Sequence, residues 1–207
     1  KTGEVIFDKN SRVGLAPAST QKVIIAATAL EMLGKDYKYK TQFFIEGKNS
    51  RTNLIIKPSG DPTFGSWRWA DTNEDFIYDR IAEKLKPFGK INRMVIDTIN
   101  YSPISIPDGW VWQDIGNYYG APAKDFNWRE NQFDVLLKSG DKIGEPVEVV
   151  ATIPKLYAFA LNSRVTSAAK GTGDNAYIYF SLTDTEGTIT GTIPAGEKRF
   201  KISGALP

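Results

Sequence analysis

The chain has no histidine and no cysteine. Without cysteine there is no disulfide, no thiolate nucleophile and no cysteine–zinc site. Without histidine, Ser-His-Asp and Cys-His catalysis and any histidine-ligated metal are excluded within the chain. A charge imbalance is also missing: 26 Lys and Arg against 24 Asp and Glu leave +2, which suggests neither a nucleic-acid partner nor a membrane surface. No run approaches the ~18 apolar residues that a membrane helix needs. No signal peptide is visible, although the chain opens inside a strand-like segment, so an upstream leader could have been removed. An enzyme of this composition must take its nucleophile from a hydroxyl or a carboxylate, and its base from Lys, Asp, Glu or Tyr.

What is present suits a globular protein. The 207 residues are 41% hydrophobic and 24% charged, enough for one large domain or two small ones with a substantial core. Residues 4–7 read as a short strand closed by the turn Asp8-Lys9-Asn10-Ser11. Pro17 biases Ala16 toward an extended backbone, so the next helix begins no earlier than about Ala18 or Ser19. From Thr20 to Leu33 the charged residues are Lys22 and Glu31. A helix apolar on nearly all sides belongs in an interior, and Gly34 supplies its stop.

Beyond Asp36 the pattern turns to strands. Residues 39–46 and 52–57 flank Gly47-Lys48-Asn49 as a hairpin, and Pro58-Ser59-Gly60-Asp61-Pro62 is a turn cluster. Phe76, Ile77, Ile81 and Leu85 share one face of a helix over 74–86, ended by Pro87 and Gly89, and 94–96 is the strand after it. Residues 101–128 are rich in Trp, Tyr, Pro, Gly and Asp with little periodicity, a composition of functional or packed loops. Strands are expected at 132–137, 147–153, 176–182, 188–193 and 199–202. The expected fold class is α+β, with a small helical head and a long β-rich body.

The pattern Ser-x-x-Lys occurs three times, at Ser19/Lys22, Ser139/Lys142 and Ser167/Lys170. Ser139 falls in the polar turn Lys138-Ser139-Gly140-Asp141, where nothing would desolvate a lysine, and Ser167 in a stretch expected as a surface loop. Ser19 and Lys22 open an apolar helix, where the i, i+3 spacing puts both side chains on one face. A serine hydroxyl attacks only when a neighbouring base takes its proton. A lysine is that base only as the neutral amine, which burial favours. Val23, Ile24 and Ile25 offer such cover, and the helix N-terminus favours developing negative charge. The local sequence by itself favours Ser19 as a helix cap with Lys22 in solvent.

Asp61 reads as the acceptor of an Asx turn rather than a catalytic acid. Trp110, Trp112, Asp114, Tyr118 and Tyr119 form the densest aromatic–acidic group. It reads either as a packed aromatic mini-core in which Asp114 caps backbone amides, or as a pocket in which Asp114 meets a cationic ligand group.

Several separated stretches converge on one family. Thr2-Gly3-Glu4-Val5, Pro17-Ala18-Ser19-Thr20-Gln21-Lys22 with its alanine-rich helix, Ser59-Gly60-Asp61-Pro62-Thr63-Phe64 and Pro107-Asp108-Gly109-Trp110-Val111-Trp112-Gln113-Asp114 occur in order. Asn117-Tyr118-Tyr119-Gly120-Ala121-Pro122 and Glu130-Asn131 follow. The chain resembles DacB-type D-alanyl-D-alanine carboxypeptidases/endopeptidases, the low-molecular-mass class C penicillin-binding proteins.

The resemblance implies an exported bacterial enzyme of the periplasm or cell envelope that acts on peptidoglycan stem peptides without a metal or cofactor. Ser19 would be acylated by substrate or by β-lactams, Lys22 would be its base and the Ser19 amide an oxyanion donor. Trp110, Trp112, Asp114 and Tyr119 would contact the free end of the peptide side chain. It also implies a partial β-lactamase/transpeptidase-like domain, residues 1–38, carrying β-rich inserted domains over 39–66, 67–150 and 151–207. Association with a membrane surface or a second copy of the chain is compatible with it.

One departure stands out. No Ser-x-Asn and no Lys-Thr-Gly follow Lys22, and Lys1-Thr2-Gly3 precedes the serine. The chain is therefore expected to be an N-terminal portion that by itself neither binds penicillin nor hydrolyses D-Ala-D-Ala. The rival readings are a β-lactam hydrolase and a non-catalytic cell-wall binding module.

Overall fold

A computed structural model describes residues 2–47, 52–98, 106–180 and 185–206. The chain divides into two compact units, Lys1–Lys38 and Tyr39–Pro207. In the first, a 3-10 turn over Ala18–Thr20 runs into helix α1, Gln21–Leu33, and the Gly34 N–H closes on Leu30 O at 3.0 Å with Gly34 at φ 81°. Two expectations fail here. Residues 4–7 pair with no strand among the described residues and stay irregular, because alternation makes a strand only where a partner takes its backbone groups. And α1 buries no residue: Val23, Ile24 and Ile25 are 72%, 69% and 61% exposed, since nothing in this unit lies over them.

The second unit opens with strands β1, Gln42–Glu46, and β2, Asn53–Lys57, antiparallel with Gln42 opposite Lys57. The tip of that hairpin, Lys48 and Asn49, lies outside the described residues. Helix α2, Glu74–Leu85, then carries the chain across to β3, Arg93–Ile96, which pairs parallel to β2. Parallel neighbours require such a crossover. The Asn73 side chain caps α2 by accepting the Phe76 N–H at 2.9 Å, and Glu74 and Asp75 sit in the first turn where the helix dipole favours them. Ile77, Ile81 and Leu85 are half-buried on one face, and a cavity of about 570 Å³ remains between that face, Phe43 and Phe64.

The β-rich body contains two three-stranded sheets around one core. Strand β4, Gln132–Lys138, lies between β5, Glu148–Ile153, and β9, Phe200–Ala205, antiparallel to both. In the other sheet β8, Glu186–Pro194, is inserted between β6, Ala160–Ala168, and β7, Asn175–Phe180, parallel to the first and antiparallel to the second. Phe133, Val135 and Leu137 of β4 meet Val165, Ile178, Phe180, Ile189, Ile193 and Ile202 in the buried cluster. Each such side chain contributes roughly 1.5–3 kcal/mol by leaving water.

Strand β6 is absent from the sequence reading. Its inward positions are Leu161, Ser163, Val165 and Ser167, and half of them are serines, so the alternation is weak. Ser167, expected in a surface loop, is 1% exposed in this strand. Ser139, expected in an open turn, is 8% exposed; its hydroxyl donates to Pro194 O at 2.7 Å and accepts the Glu197 N–H at 2.9 Å.

A strained turn joins α2 to the β4–β5 sheet. Arg129, Glu130 and Asn131 adopt left-handed φ of 51°, 56° and 54°, at a cost of about 1–2 kcal/mol per residue. Side-chain bonds offset this. Arg129 Nε donates to Glu74 Oε2 at 2.6 Å and its Nη1 to Ile153 O at 3.0 Å, while its guanidinium lies over the Trp67 ring at 5.1 Å. Glu130 Oε1 accepts from Ser66 Oγ and from Arg68 Nε, each at 2.7 Å.

Candidate functional site

The two groups of candidate residues lie in different units, Ser19 and Lys22 in the first and the aromatic–acidic residues in the second. Ala18 takes a left-handed φ of 42° immediately before Ser19, turning the backbone into the 3-10 start of the helix. Thr20 Oγ1 donates to Pro17 O. One turn later Lys22 Nζ reaches back and donates to Ser19 Oγ at 3.0 Å. The capping alternative is not what forms: the helix start carries no side-chain cap, and Ser19 Oγ is engaged by Lys22. Hydroxyl and amine are thus at the distance over which a proton can pass between them. Both are exposed in this unit, so the apolar cover that would favour a neutral amine is not supplied by Val23, Ile24 and Ile25, which themselves face water.

In the second unit the segment 110–120 is fixed to the β-rich body at a seam. A short helix α3, Trp112–Ile115, is followed by a 3-10 turn over Tyr118–Gly120. Between them Gly116 runs so close to β7 that an added Cβ would lie 2.2 Å from Ile178 O. Asn117 is 5% exposed and joins both sheets: its backbone bridges to Gly204 of β9, and its Oδ1 accepts the Ile178 N–H of β7 at 3.0 Å. An Ala205 N–H bond to Gly116 O at 3.1 Å completes the join. Buried polar groups satisfied in this way fix the loop in one arrangement.

That seam presents the sequence-selected residues unequally. Trp110, Asp114 and Tyr119 line one cavity of about 200 Å³ with Gly109, Val111 and Gly120. Trp112 does not line it; its ring lies 6.4 Å from Tyr179. Trp110, Trp112, Tyr118 and Tyr119 are 40–54% exposed, so they do not form a closed mini-core. Asp114 is half-buried, and among the described residues no backbone amide donates to its carboxylate. The Tyr119 phenol is pushed above its ordinary range by burial, and further by the negative charge of Asp114 with smaller contributions from Tyr177, Tyr118 and Asp174. It therefore stays protonated as a hydrogen-bond donor. Asp61 closes the expected Asx turn, accepting the Thr63 N–H at 2.8 Å and the Thr63 hydroxyl at 2.7 Å on Oδ1.

A Ser-x-x-Lys turn thus opens an apolar helix in one chain with a β-rich body of two three-stranded sheets. The model of the D-Ala-D-Ala carboxypeptidase 3 (S13) family matches residues 1–206, and the chain belongs to that family. It is 30% identical over 152 residues to D-alanyl-D-alanine carboxypeptidase DacB of Haemophilus influenzae, covering 70% of this chain and 30% of that protein. It is 25% identical over 206 residues to a D-alanyl-D-alanine carboxypeptidase of Actinomadura sp. (strain R39), covering 94% and 36%. The crystal structure of penicillin binding protein 4 (dacB) from Haemophilus influenzae superposes with a TM-score of 0.71 at 26% identity, over 98% of this chain and 44% of that one. The chain thus spans less than half the length of the relatives it matches. The α+β class and the family resemblance read from sequence both hold.

Proposed function

We propose that this chain carries the nucleophile-bearing helix and a substrate-recognition surface of a serine-type D-Ala-D-Ala carboxypeptidase/endopeptidase of peptidoglycan, exported to the periplasm or cell envelope. The observation that carries it is the 3.0 Å contact between Lys22 Nζ and Ser19 Oγ in a chain of this family. With Lys22 neutral, its amine takes the Ser19 proton as Oγ attacks the carbonyl carbon of the penultimate D-Ala. The Oγ–C bond forms and the C–N bond breaks. Lys22 returns the proton to the leaving amine, and an ester remains on Ser19. Water then attacks that ester, giving its proton to Lys22, and the shortened peptide leaves as a carboxylate with Ser19 restored. A β-lactam would open on the same oxygen.

Exposure of Ser19 and Lys22 in this unit sets what must be added. For the pair to react, cover over α1 that lowers the affinity of Lys22 for its proton would have to be supplied, together with Ser-x-Asn and Lys-Thr-Gly elements. Trp110, Asp114 and Tyr119 would receive the amino end of the peptide side chain. The test is labelling by a fluorescent penicillin. The longer protein is expected to label and its Ser19→Ala variant not, and the 207-residue chain alone is expected to stay unlabelled. Labelling of Ser19→Ala would exclude Ser19 as nucleophile. The binding-module alternative would hold if the longer protein neither labelled nor released D-Ala.

A further inference from the structure

Tyr119 also lines a second cavity of about 200 Å³, formed with Tyr118, Tyr177, Asp174, Asn117 and Ser203. Among the described residues, Tyr119 is the one wall it shares with the cavity of Asp114. Three phenol rings surround it, and its charged lining residue is Asp174. Tyr118 and Tyr119 meet edge to face, with centroids 5.2 Å apart and planes at 80°, so their rings present different faces and edges to the space around them. Asp174 is held by its own turn, Oδ1 accepting the Ala176 N–H at 3.0 Å, and makes no ion pair among the described residues. Asn117 is fixed at the seam, and Ser203 Oγ donates to Asp134 Oδ1 at 2.7 Å, so this wall is rigid.

Three aromatic rings with one carboxylate form the chemistry that recognises an ammonium group: the ring faces attract the cation, and the acid neutralises it. An anion would be opposed by Asp174, and a neutral group would leave Asp174 without a counter-charge. The volume is below the roughly 300 Å³ at which whole small-molecule ligands are held, so the cavity takes one end of a longer molecule.

We propose that the Tyr118–Tyr119–Tyr177–Asp174 cavity is a subsite for a primary alkylammonium group, distinct from the Asp114 cavity on the other wall of Tyr119. It rests on the fold of the second unit and not on the chemistry proposed for Ser19.

The experiment is titration of the 207-residue chain, with 13C-labelled tyrosine rings, against n-pentylamine, pentanol and pentanoate, followed by NMR in amine-free buffer. Saturable shifts of the Tyr177 and Tyr118 rings are expected with pentylammonium, and none with the alcohol or the acid. Asp174→Asn, which keeps the oxygen that accepts the Ala176 N–H, is expected to weaken binding about fivefold, the size of a partly exposed ion pair. Asp114→Asn is expected to leave the Tyr177 response unchanged, which separates this subsite from the one proposed for peptide recognition. If Asp174→Asn perturbs the fold by circular dichroism, Tyr177→Leu must show the loss instead. An unmoved Tyr177 ring, an equal response to pentanol, or full binding by the folded variants would overturn the proposal.

Discussion

Helix α1 and strand β4 are both strongly apolar, and they end in opposite surroundings. Ile24 is 69% exposed, whereas Val135 and Leu137 are fully buried. The difference lies in where each finds its backbone partners. A helix closes its hydrogen bonds within itself, so the contact between Ser19 and Lys22 at the head of α1 is set by the helix's own turn and not by a neighbouring strand. A strand closes its bonds only on neighbours, so β4 exists between β5 and β9, and those neighbours bring the core with them. The geometry of the Ser19–Lys22 contact is therefore local, and the packing of the β4 side chains is not.

The strongest way to break this contrast is a charge in the core. Val135→Asp places an unpaired carboxylate among Phe133, Ile178 and Ile202 and is expected to cost at least about 4 kcal/mol, enough to unfold the second unit, with loss of its near-ultraviolet circular dichroism. Gly116→Ala comes next. Its methyl would collide with Ile178 O, and a loss of about 1–3 kcal/mol in urea unfolding is expected, together with a displaced Asp114 cavity.

The Ser-x-x-Lys patterns sharpen the comparison. Ser139→Ala removes the buried hydroxyl that donates to Pro194 O and accepts the half-buried Glu197 N–H, and should cost about 1–3 kcal/mol. Ser19→Ala removes an exposed contact and should move stability by less than about 0.5 kcal/mol while abolishing penicillin labelling of the longer protein. Equal stability losses from the two substitutions would mean that Ser19 is not the exposed group described above.

A smaller effect is set by pH. Burial raises the Glu130 carboxyl, but hydrogen bonds from Arg68 and Ser66 and the charges of Arg68 and Arg129 outweigh it, so its folded value is depressed. A depressed carboxyl contributes stability that is full above its unfolded value, about 4.3, and lost as pH falls through the folded one. Urea midpoints measured from pH 6 to pH 3 should fall more steeply for the parent chain than for Glu130→Gln. Parallel curves would show that Glu130 adds nothing to the acid limb. Least of all, Ile24→Ala in α1 should shift the midpoint by less than about 0.5 kcal/mol. A loss of several kcal/mol there would show that α1 is covered within this chain.

Much of the architecture was legible because its signals are local. Pro17 and Gly34 bound the first helix, the Phe76–Leu85 spacing with Pro87 and Gly89 marked the second, and the turn at Asp61 announced itself through the Pro58–Pro62 cluster. Strand β6 was not legible, since Ser163 and Ser167 face inward where apolar residues were expected. Residues 4–7 carry a strand's pattern and have no strand partner among the described residues. In the candidate site Trp110, Asp114 and Tyr119 were found together, but Trp112 lies outside that cavity. Asp174 and Tyr177 were missed because they reach Tyr119 across some sixty positions of chain, through the Asn117–Ile178 bond that fixes the 110–120 segment to β7.

Sequence alone determined the helix starts and stops, the one-turn spacing that lets Lys22 touch Ser19, and the composition that excludes histidine and thiolate chemistry. These follow from bonds and clashes between residues a few positions apart. Tertiary structure decided that Ser139 and Ser167 are buried, that Asn117 joins β7 to β9, and that Tyr119 stands between two cavities. Each of those depends on strand neighbours distant in the chain, and strand pairing is a choice among partners that no local pattern encodes.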